Sequence, residues 1–90
     1  MPKLDLNDEQ FQNQFFALEK AEQIAVLKTF RKLKQLSWSL IYRDSGLKWE
    51  SIGNDEYTIR ITIKCRAVVR RQADEVQFLS LHPDHDSAYE

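Results

Sequence analysis

The sequence has few residues that break or cross-link a fold: its 90 residues include two glycines, two prolines and one cysteine. With 42% apolar and 30% charged residues, this composition excludes collagen-like, low-complexity and disordered chains. The lone Cys65 cannot form an intramolecular disulfide, which favours a reducing compartment, and we expect a cytoplasmic protein. The length predicts that residues 1–90 form one domain.

Several functional motifs are also missing. No apolar run approaches the ~18 residues of a membrane span, and the first residues do not resemble a signal peptide. The sequence has no phosphate-binding glycine loop, no nucleophile elbow and no paired cysteines, which disfavours nucleotide hydrolysis and acyl transfer. We therefore expect neither a membrane partner nor a small-molecule cofactor.

The net charge of −1 conceals an uneven distribution. Residues 1–19 carry a net charge of −3, and residues 72–90 carry five acids with no Lys or Arg. Residues 20–71 contain twelve Lys and Arg against five Asp and Glu, a net charge of +7. A local basic surface attracts phosphates whatever distant residues carry, so the overall neutrality does not exclude a nucleic-acid partner.

The first half of the chain predicts two helices. Asn7, followed by acids and glutamine, is typical of an N-cap, and Phe11, Phe15 and Leu18 share one helical face. A second helix is predicted over residues 20–36. We expect its inward face to comprise Ile24, Leu27, Phe30 or Arg31, and Leu33. Its outer face is basic, which suits either plain solvation or an RNA or acidic partner.

Shorter features surround these helices. Residues 3–6 alternate in a way that allows an edge strand, and Ser37 can cap a short helical turn over residues 38–42. Gly46 offers a left-handed helix stop, and residues 51–55 are predicted to be a loop.

The second half predicts strands. The apolar residues Tyr57, Ile59, Ile61 and Ile63 alternate with Thr58, Arg60 and Thr62 and should face the helices. Further strands are predicted over residues 66–71 and 76–82, joined by a polar connection. The prediction is therefore an α+β fold, with two N-terminal helices packed on a twisted antiparallel sheet of three to four strands.

The opposite face of this sheet is predicted to be open and cationic. If Ala67 and Val69 face the helices, Arg66 and Arg70 lie on the open face with Arg60. On the last strand, we expect Leu79 and Leu81 in the core and Phe78, Ser80 and His82 on the open face. An aromatic ring among guanidinium groups suits single-stranded RNA, although such a face could instead be covered by another protein chain.

Residues 82–86 read His-Pro-Asp-His-Asp and concentrate titratable groups. Two histidines in an irregular segment lack the fixed geometry of a zinc motif, so we expect no metal. A solvated or interface tail is one alternative. The other is general acid–base catalysis: in RNA cleavage the 2′-hydroxyl is the nucleophile, so the protein supplies an acid, a base and cations.

Three segments carry a family resemblance: residues 57–62 (Tyr-Thr-Ile-Arg-Ile-Thr), 66–69 (Arg-Ala-Val-Val) and 78–82 (Phe-Leu-Ser-Leu-His), together with Tyr89. The chain, over residues 3–90, resembles the RelE/ParE superfamily of bacterial type II toxins. The resemblance implies a RelE-like fold and, in the RelE-like branch, a metal-independent endoribonuclease that cuts mRNA in the ribosomal A site and so stops translation.

The resemblance also implies site residues. Arg60 and Arg66 would stabilise the scissile phosphate, His82 and then His85 would act as acid or base, and Tyr89 would stack on or orient the nucleotide. The expected RNA-binding residues are Lys48, Lys64, Arg70 and Phe78. Glu50 is the alternative to Lys48 in the loop before the strands.

The implied partners are a cognate antitoxin, which would wrap the sheet surface or the helices, and mRNA on the ribosome. The chain departs from the family in its acidic tail, which has no cation after Arg71. Two alternatives therefore remain: a DNA gyrase inhibitor of the ParE branch, and a non-catalytic protein-binding module of the same fold.

Overall fold

The computed structural model describes residues 2–83. Within this range the elements are, in chain order, β1 (Lys3–Asp5), α1 (Glu9–Ala17), α2 (Lys20–Gln35), α3 (Trp38–Arg43), β2 (Glu50–Gly53), β3 (Glu56–Arg60), β4 (Arg66–Gln72) and β5 (Glu75–His82). The helices pack on one face of a five-stranded sheet of order β1-β5-β4-β3-β2. None of the described helices is long and apolar enough to cross a membrane.

The predicted α+β architecture is confirmed, with more strands than expected. The sheet is mixed, because β1 pairs in parallel with β5 through Lys3↔Glu75 to Asp5↔Gln77, whereas the other pairs are antiparallel. β1 is an edge strand and covers only the first part of β5. Beyond it, the Gln14 side chain of α1 accepts a hydrogen bond of 2.7 Å from the Leu81 backbone N–H.

The first helix begins one residue later than predicted. Its N-cap is Asp8, whose carboxylate accepts a hydrogen bond of 3.0 Å from the Phe11 N–H, so the assignment of Asn7 is wrong. An ionised cap carboxylate also interacts favourably with the positive end of the helix dipole. The predicted inward face is confirmed: Phe11 is buried, and Phe15 and Leu18 pack against the core.

The predicted inward face of the second helix is confirmed in part: Leu33 is buried and Phe30 packs against the core. Ile24 and Leu27 are instead 43% and 53% exposed, and the helix buries Val26 and Thr29. Both sets have helical spacing, because the helix carries apolar residues on more than one face, and periodicity alone does not select the face that meets the sheet. The Thr29 hydroxyl is satisfied by donating to the Ala25 carbonyl at 2.9 Å.

Ser37 caps α3 as predicted, but Gly46 does not supply a left-handed stop. The left-handed residue of this loop is Lys48, with φ of 48°. The loop is organised by Asp44, whose Oδ1 accepts from the Leu47 N–H and from Lys32 Nζ, both at 2.9 Å. The hydrogen bond from Lys32 holds the pKa of Asp44 below its usual value, against the opposing effect of burial.

The predicted loop at residues 51–55 is largely a strand. β2 pairs with β3 through Glu50↔Thr58 and Ser51↔Tyr57, and a turn with positive φ at Gly53, Asn54 and Asp55 joins the two strands. All four residues of β2 are exposed, so the strand has no buried–exposed alternation to reveal it and is held by backbone pairing.

The third strand is shorter than predicted, because the chain turns after Arg60. The Thr62 hydroxyl accepts hydrogen bonds from the Lys64 and Cys65 N–H groups at 3.2 and 2.9 Å, which closes the turn. The placement of Ile63 in the core is therefore wrong: its side chain is 83% exposed.

A bulge in β5 changes which of its side chains face the core. Val68 pairs with Ser80 but Val69 pairs with Phe78, so Leu79 is an extra residue on β5. Phe78 consequently lies in the core, with ring centroids 5.3 Å from Phe11 and 4.9 Å from Phe30. The predictions of Phe78 on the open face and of Leu79 in the core are both wrong, whereas Leu81 is buried as expected.

Candidate functional site

Three predicted site residues lie in one row across the open face. Arg60 on β3 is directly opposite Arg66 on β4, and Arg66 is directly opposite His82 on β5. Directly paired residues of antiparallel strands have Cβ atoms about 4.5–5.5 Å apart. The sheet register therefore brings two guanidinium groups and one imidazole together at one end of the sheet.

This row concentrates positive charge where water is partly excluded. Arg66 is only 8% exposed and Arg60 is half-buried. Among residues 2–83, the buried Nε of Arg60 has no hydrogen-bond acceptor. An anion bound at this end of the sheet would accept from this donor.

The imidazole of His82 is oriented by its own strand. Its Nε2 lies 3.0 Å from the hydroxyl oxygen of Ser80, two residues earlier on the same face. The other ring nitrogen, Nδ1, is not part of that bond. Histidine is the residue that most often acts as a general acid or base, and His82 is half-buried directly opposite Arg66.

Two predicted RNA-binding lysines lie at the same end of the sheet. The Arg60 N–H donates to the Leu47 carbonyl at 2.7 Å, which ties the loop carrying the exposed Lys48 to the end of β3. Lys64 is exposed in the turn that joins Arg60 to Arg66. The alternative residue, Glu50, is exposed on β2 opposite Thr58.

The remaining predicted site residues are placed differently. Arg70 lies farther along β4 and forms an ion pair of 2.7 Å with Glu56, so its charge is already balanced. Phe78 is buried in the core, and the RNA-stacking role that depended on its exposure is withdrawn. His85 and Tyr89 lie outside the described residues.

Cys65, between Lys64 and Arg66, has no features of a nucleophile. It is fully buried, and this burial raises the pKa of its thiol to about 11, with a smaller contribution from the charge of Glu22. The thiol is therefore protonated at neutral pH. Among residues 2–83, no three metal-ligating side chains lie together.

An aromatic cluster that the sequence analysis missed lies at the other end of β4, on the helix side. The Arg71 guanidinium carbon lies 3.6 Å from the ring centroid of Trp38, and its Nη1 donates to the Tyr42 hydroxyl at 2.6 Å. Trp49 stacks on Tyr57 at 4.7 Å. The spacing of Trp38 and Tyr42 on one helical face was a usable signal, but their contact with Arg71 depends on the tertiary fold.

Hydrogen bonds link the polar groups of the cluster. Burial of the Tyr42 phenol raises its pKa, but hydrogen bonds with Tyr57 and Arg71 outweigh that effect, so the pKa lies below its usual value. The Trp38 indole N–H donates to the Asp74 carboxylate at 3.0 Å. This cluster fixes α3 to the sheet.

The layer of helices on a mixed sheet, with a basic row at one end, defines the class of fold that the chain adopts, the RelE-like toxin fold. No protein-family model matches the chain, and no curated protein has significant sequence similarity to it. Solved structures do match. A copper-bound mutant toxin from Helicobacter pylori has a TM-score of 0.62 and 21% identity, covering 97% of this chain and 98% of that one.

Two structures from Escherichia coli also match over 100% of both chains. YafQ from strain BL21(DE3) has a TM-score of 0.60 at 11% identity, and a chain of the DinJ-YafQ complex has a TM-score of 0.59 at 12% identity. These proteins are RelE-family type II toxins, so the fold implied by the sequence resemblance is confirmed. At these identities the likeness concerns the fold.

Proposed function

We propose that the chain is the toxin of a type II toxin–antitoxin system and that it cuts mRNA on the ribosome. The observation that supports this most directly is the row of Arg60, Arg66 and His82 across three neighbouring strands. It combines a site for a phosphate with a group that can transfer a proton. The fold shared with known toxins favours the same function.

The proposed reaction needs little from the protein beyond these groups. The RNA 2′-oxygen attacks the adjacent phosphorus, the bond to the 5′-oxygen of the next nucleotide breaks, and a 2′,3′-cyclic phosphate forms. The 2′-hydroxyl proton goes to a base, and the leaving 5′-oxygen receives a proton from an acid. Arg60 and Arg66 would stabilise the charge that develops on the phosphate oxygens.

His82 is the proposed proton-transfer residue, because it alone among the two histidines lies within the described row. His85 as a second acid or base and Tyr89 as a stacking residue remain part of the proposal through the family resemblance. Lys48 and Lys64, exposed at the same end, would contact neighbouring phosphates of the strand.

The test is cleavage of mRNA during translation by purified ribosomes, with cut sites mapped by primer extension. The wild-type protein should cut, and His82→Ala should lower the rate about 100-fold or more, because a positioned acid or base contributes about that much. Arg66→Ala should do the same. Arg31→Ala, which removes an exposed arginine from α2, is the matched control and should cut normally.

Three results would contradict the proposal. Normal cleavage or normal growth arrest in both His82→Ala and Arg66→Ala, with wild-type circular dichroism, would remove the row from the mechanism. Inhibition of DNA supercoiling by purified gyrase, without any mRNA cleavage, would favour the gyrase-inhibitor alternative. Absence of growth arrest on expression without a partner would favour the non-catalytic module.

We further propose that a cognate antitoxin binds the helical side. The DinJ-YafQ structure is a complex of a related fold, which supports a protein partner for this chain. An apolar groove between α1 and α2 includes Phe15, Phe16 and Leu27, and Phe16 is 75% exposed. The exposed cations Lys28 and Arg31 follow Leu27 on α2, so an acidic amphipathic segment fits this surface.

The partner should be encoded by a gene beside that of this chain. Co-expression of that gene should abolish growth arrest, and Phe16→Ser with Leu27→Ser should weaken the purified complex in calorimetry. Ile63→Ser, another exposed apolar residue, is the control and should bind normally. Equal affinity of the double variant and the wild type would place the antitoxin elsewhere.

A further inference from the structure

We propose that Ser80 is a positioning residue that holds the His82 ring by Nε2, so that Nδ1 is the nitrogen that exchanges the proton with RNA. This inference rests on the proposed function. It identifies a residue outside the arginine and histidine set, and it assigns the two ring nitrogens different tasks. The evidence is the 3.0 Å separation of Ser80 Oγ and His82 Nε2.

The β5 bulge makes this pair possible. In a strand with strict alternation and no bulge at Leu79, Ser80 and His82 would lie on the same face as Phe78, which fills the core. Because the bulge inserts one residue, Phe78 points to the helices while Ser80 and His82 point to the open face. Gln14 also accepts from the Leu81 N–H at 2.7 Å, so the backbone between the pair is fixed.

A hydroxyl suits this task because its oxygen can accept a hydrogen bond from the ring, and we infer that Ser80 is the acceptor. An imidazolium donates from both nitrogens, whereas a neutral imidazole donates from one and accepts at the other. Ser80 Oγ can accept from Nε2–H in both states, which leaves Nδ1 to gain and lose the proton. The ring then keeps one orientation through the reaction, on the strand next to the one that carries Arg66.

The decisive measurement is the tautomer of the neutral His82 ring, read from its ¹⁵N shifts on the basic side of the pH range, where a pH series shows that they no longer change. In the wild type, Nε2 should have the shift of a protonated nitrogen and Nδ1 that of an unprotonated one. In Ser80→Ala the two shifts should approach each other, since no partner selects a tautomer. Ser80→Thr should restore the wild-type pattern, and Ser45→Ala, in an exposed loop, should leave it unchanged.

Activity provides the second readout. Ser80→Ala should lower the cleavage rate about 10- to 100-fold, the usual cost of misplacing a reacting group, with little change in RNA affinity. Ser80→Thr should retain most of the rate. Wild-type ¹⁵N shifts in Ser80→Ala, or an unchanged cleavage rate in that variant, would overturn the inference.

The two proposals fail in different ways. If wild-type protein cuts no RNA, the proposed function fails, and the role of Ser80 in catalysis fails with it, whatever the ring shifts show. If the wild type cuts RNA and His82→Ala does not, but Ser80→Ala is unaffected in both measurements, the function stands and only the positioning role is lost.

Discussion

The two ends of β4 each carry an arginine, and the two side chains lie in different surroundings on opposite faces of the sheet. Arg71, on the helix side, lies 3.6 Å from the Trp38 ring centroid and donates to Tyr42 and to the Ala73 carbonyl. Arg66, on the open face, lies between another arginine and a histidine. Arginine beside aromatic rings is typical of RNA-binding surfaces. In this protein, however, the contact of Arg71 with Trp38 and Tyr42 lies within the fold and holds a helix to the sheet. The arginine that contacts aromatic rings is therefore on the helix side, and the arginines of the proposed anion site are on the open face.

The largest expected difference between the two ends is in RNA cleavage. Arg60→Gln should lower the cleavage rate about 100-fold, because it removes one of the two groups that we propose stabilise the developing phosphate charge. Arg71→Gln should leave the rate within about twofold, since its guanidinium faces the helices. Primer extension on translating ribosomes measures both. Equal losses in the two variants would contradict the comparison.

The effects on stability should have the reverse order, with a larger loss in Arg71→Gln than in Arg60→Gln. Arg71→Gln should lower the free energy of unfolding by about 1–3 kcal/mol, through loss of a cation–π contact and a hydrogen bond. Arg60→Gln should change it little, because the buried Arg60 Nε has no hydrogen-bond acceptor among residues 2–83 that the substitution would remove. Urea denaturation followed by tryptophan fluorescence is the measurement. A marked loss of stability in Arg60→Gln would mean that Arg60 is structural as well.

The free energy of unfolding should depend on pH through Asp44, which organises the loop that carries Lys48. Asp44 has a lowered pKa in the folded protein because Lys32 donates to it, so its stabilisation is present above the unfolded value of ~3.9. It is lost as the pH falls through the folded value. Asp44→Asn should therefore cost about 1 kcal/mol near neutral pH, a magnitude typical of a partly exposed pair, and little in strong acid. Urea midpoints measured near neutral pH and in strong acid test this prediction. An equal loss of stability at the two pH values would exclude the Lys32–Asp44 ion pair as its source.

The smallest effect is expected from Arg70, which shares the open face with Arg66. Its pair with Glu56 is partly exposed, so Arg70→Gln should change the free energy of unfolding by less than about 1 kcal/mol. Because Glu56 already balances its charge, RNA cleavage should also change little. A loss of cleavage comparable to that of Arg60→Gln would extend the anion site along β4.

Much of this arrangement was predictable because strand patterns are local. The alternation around Arg60 and the apolar run after Arg66 predicted both arginines on one face, and His82 followed from the last strand. Phe78 was misplaced because a bulge shifts the alternation by one residue and leaves no mark in composition. Strand β2 was missed because its backbone pairs while its side chains remain exposed.

The contacts of Arg71 were missed for a different reason. Trp38 and Tyr42 lie on α3 and Arg71 lies on β4, so their meeting depends on how the helix packs on the sheet. Ile24 and Leu27 show the same limit: helical spacing identifies an apolar stripe, but the sheet decides which stripe is buried.

The parallel pairing of β1 with β5 has a consequence for synthesis. During synthesis β1 emerges from the ribosome first, whereas its partner β5 is the last strand to be made. The pairing of β1 with β5 can therefore form only after every other element has emerged. The row of Arg60, Arg66 and His82 spans β3, β4 and β5 and is likewise complete only when β5 has left the exit tunnel. A nascent chain of this protein therefore lacks the complete row until β5 has emerged from the ribosome.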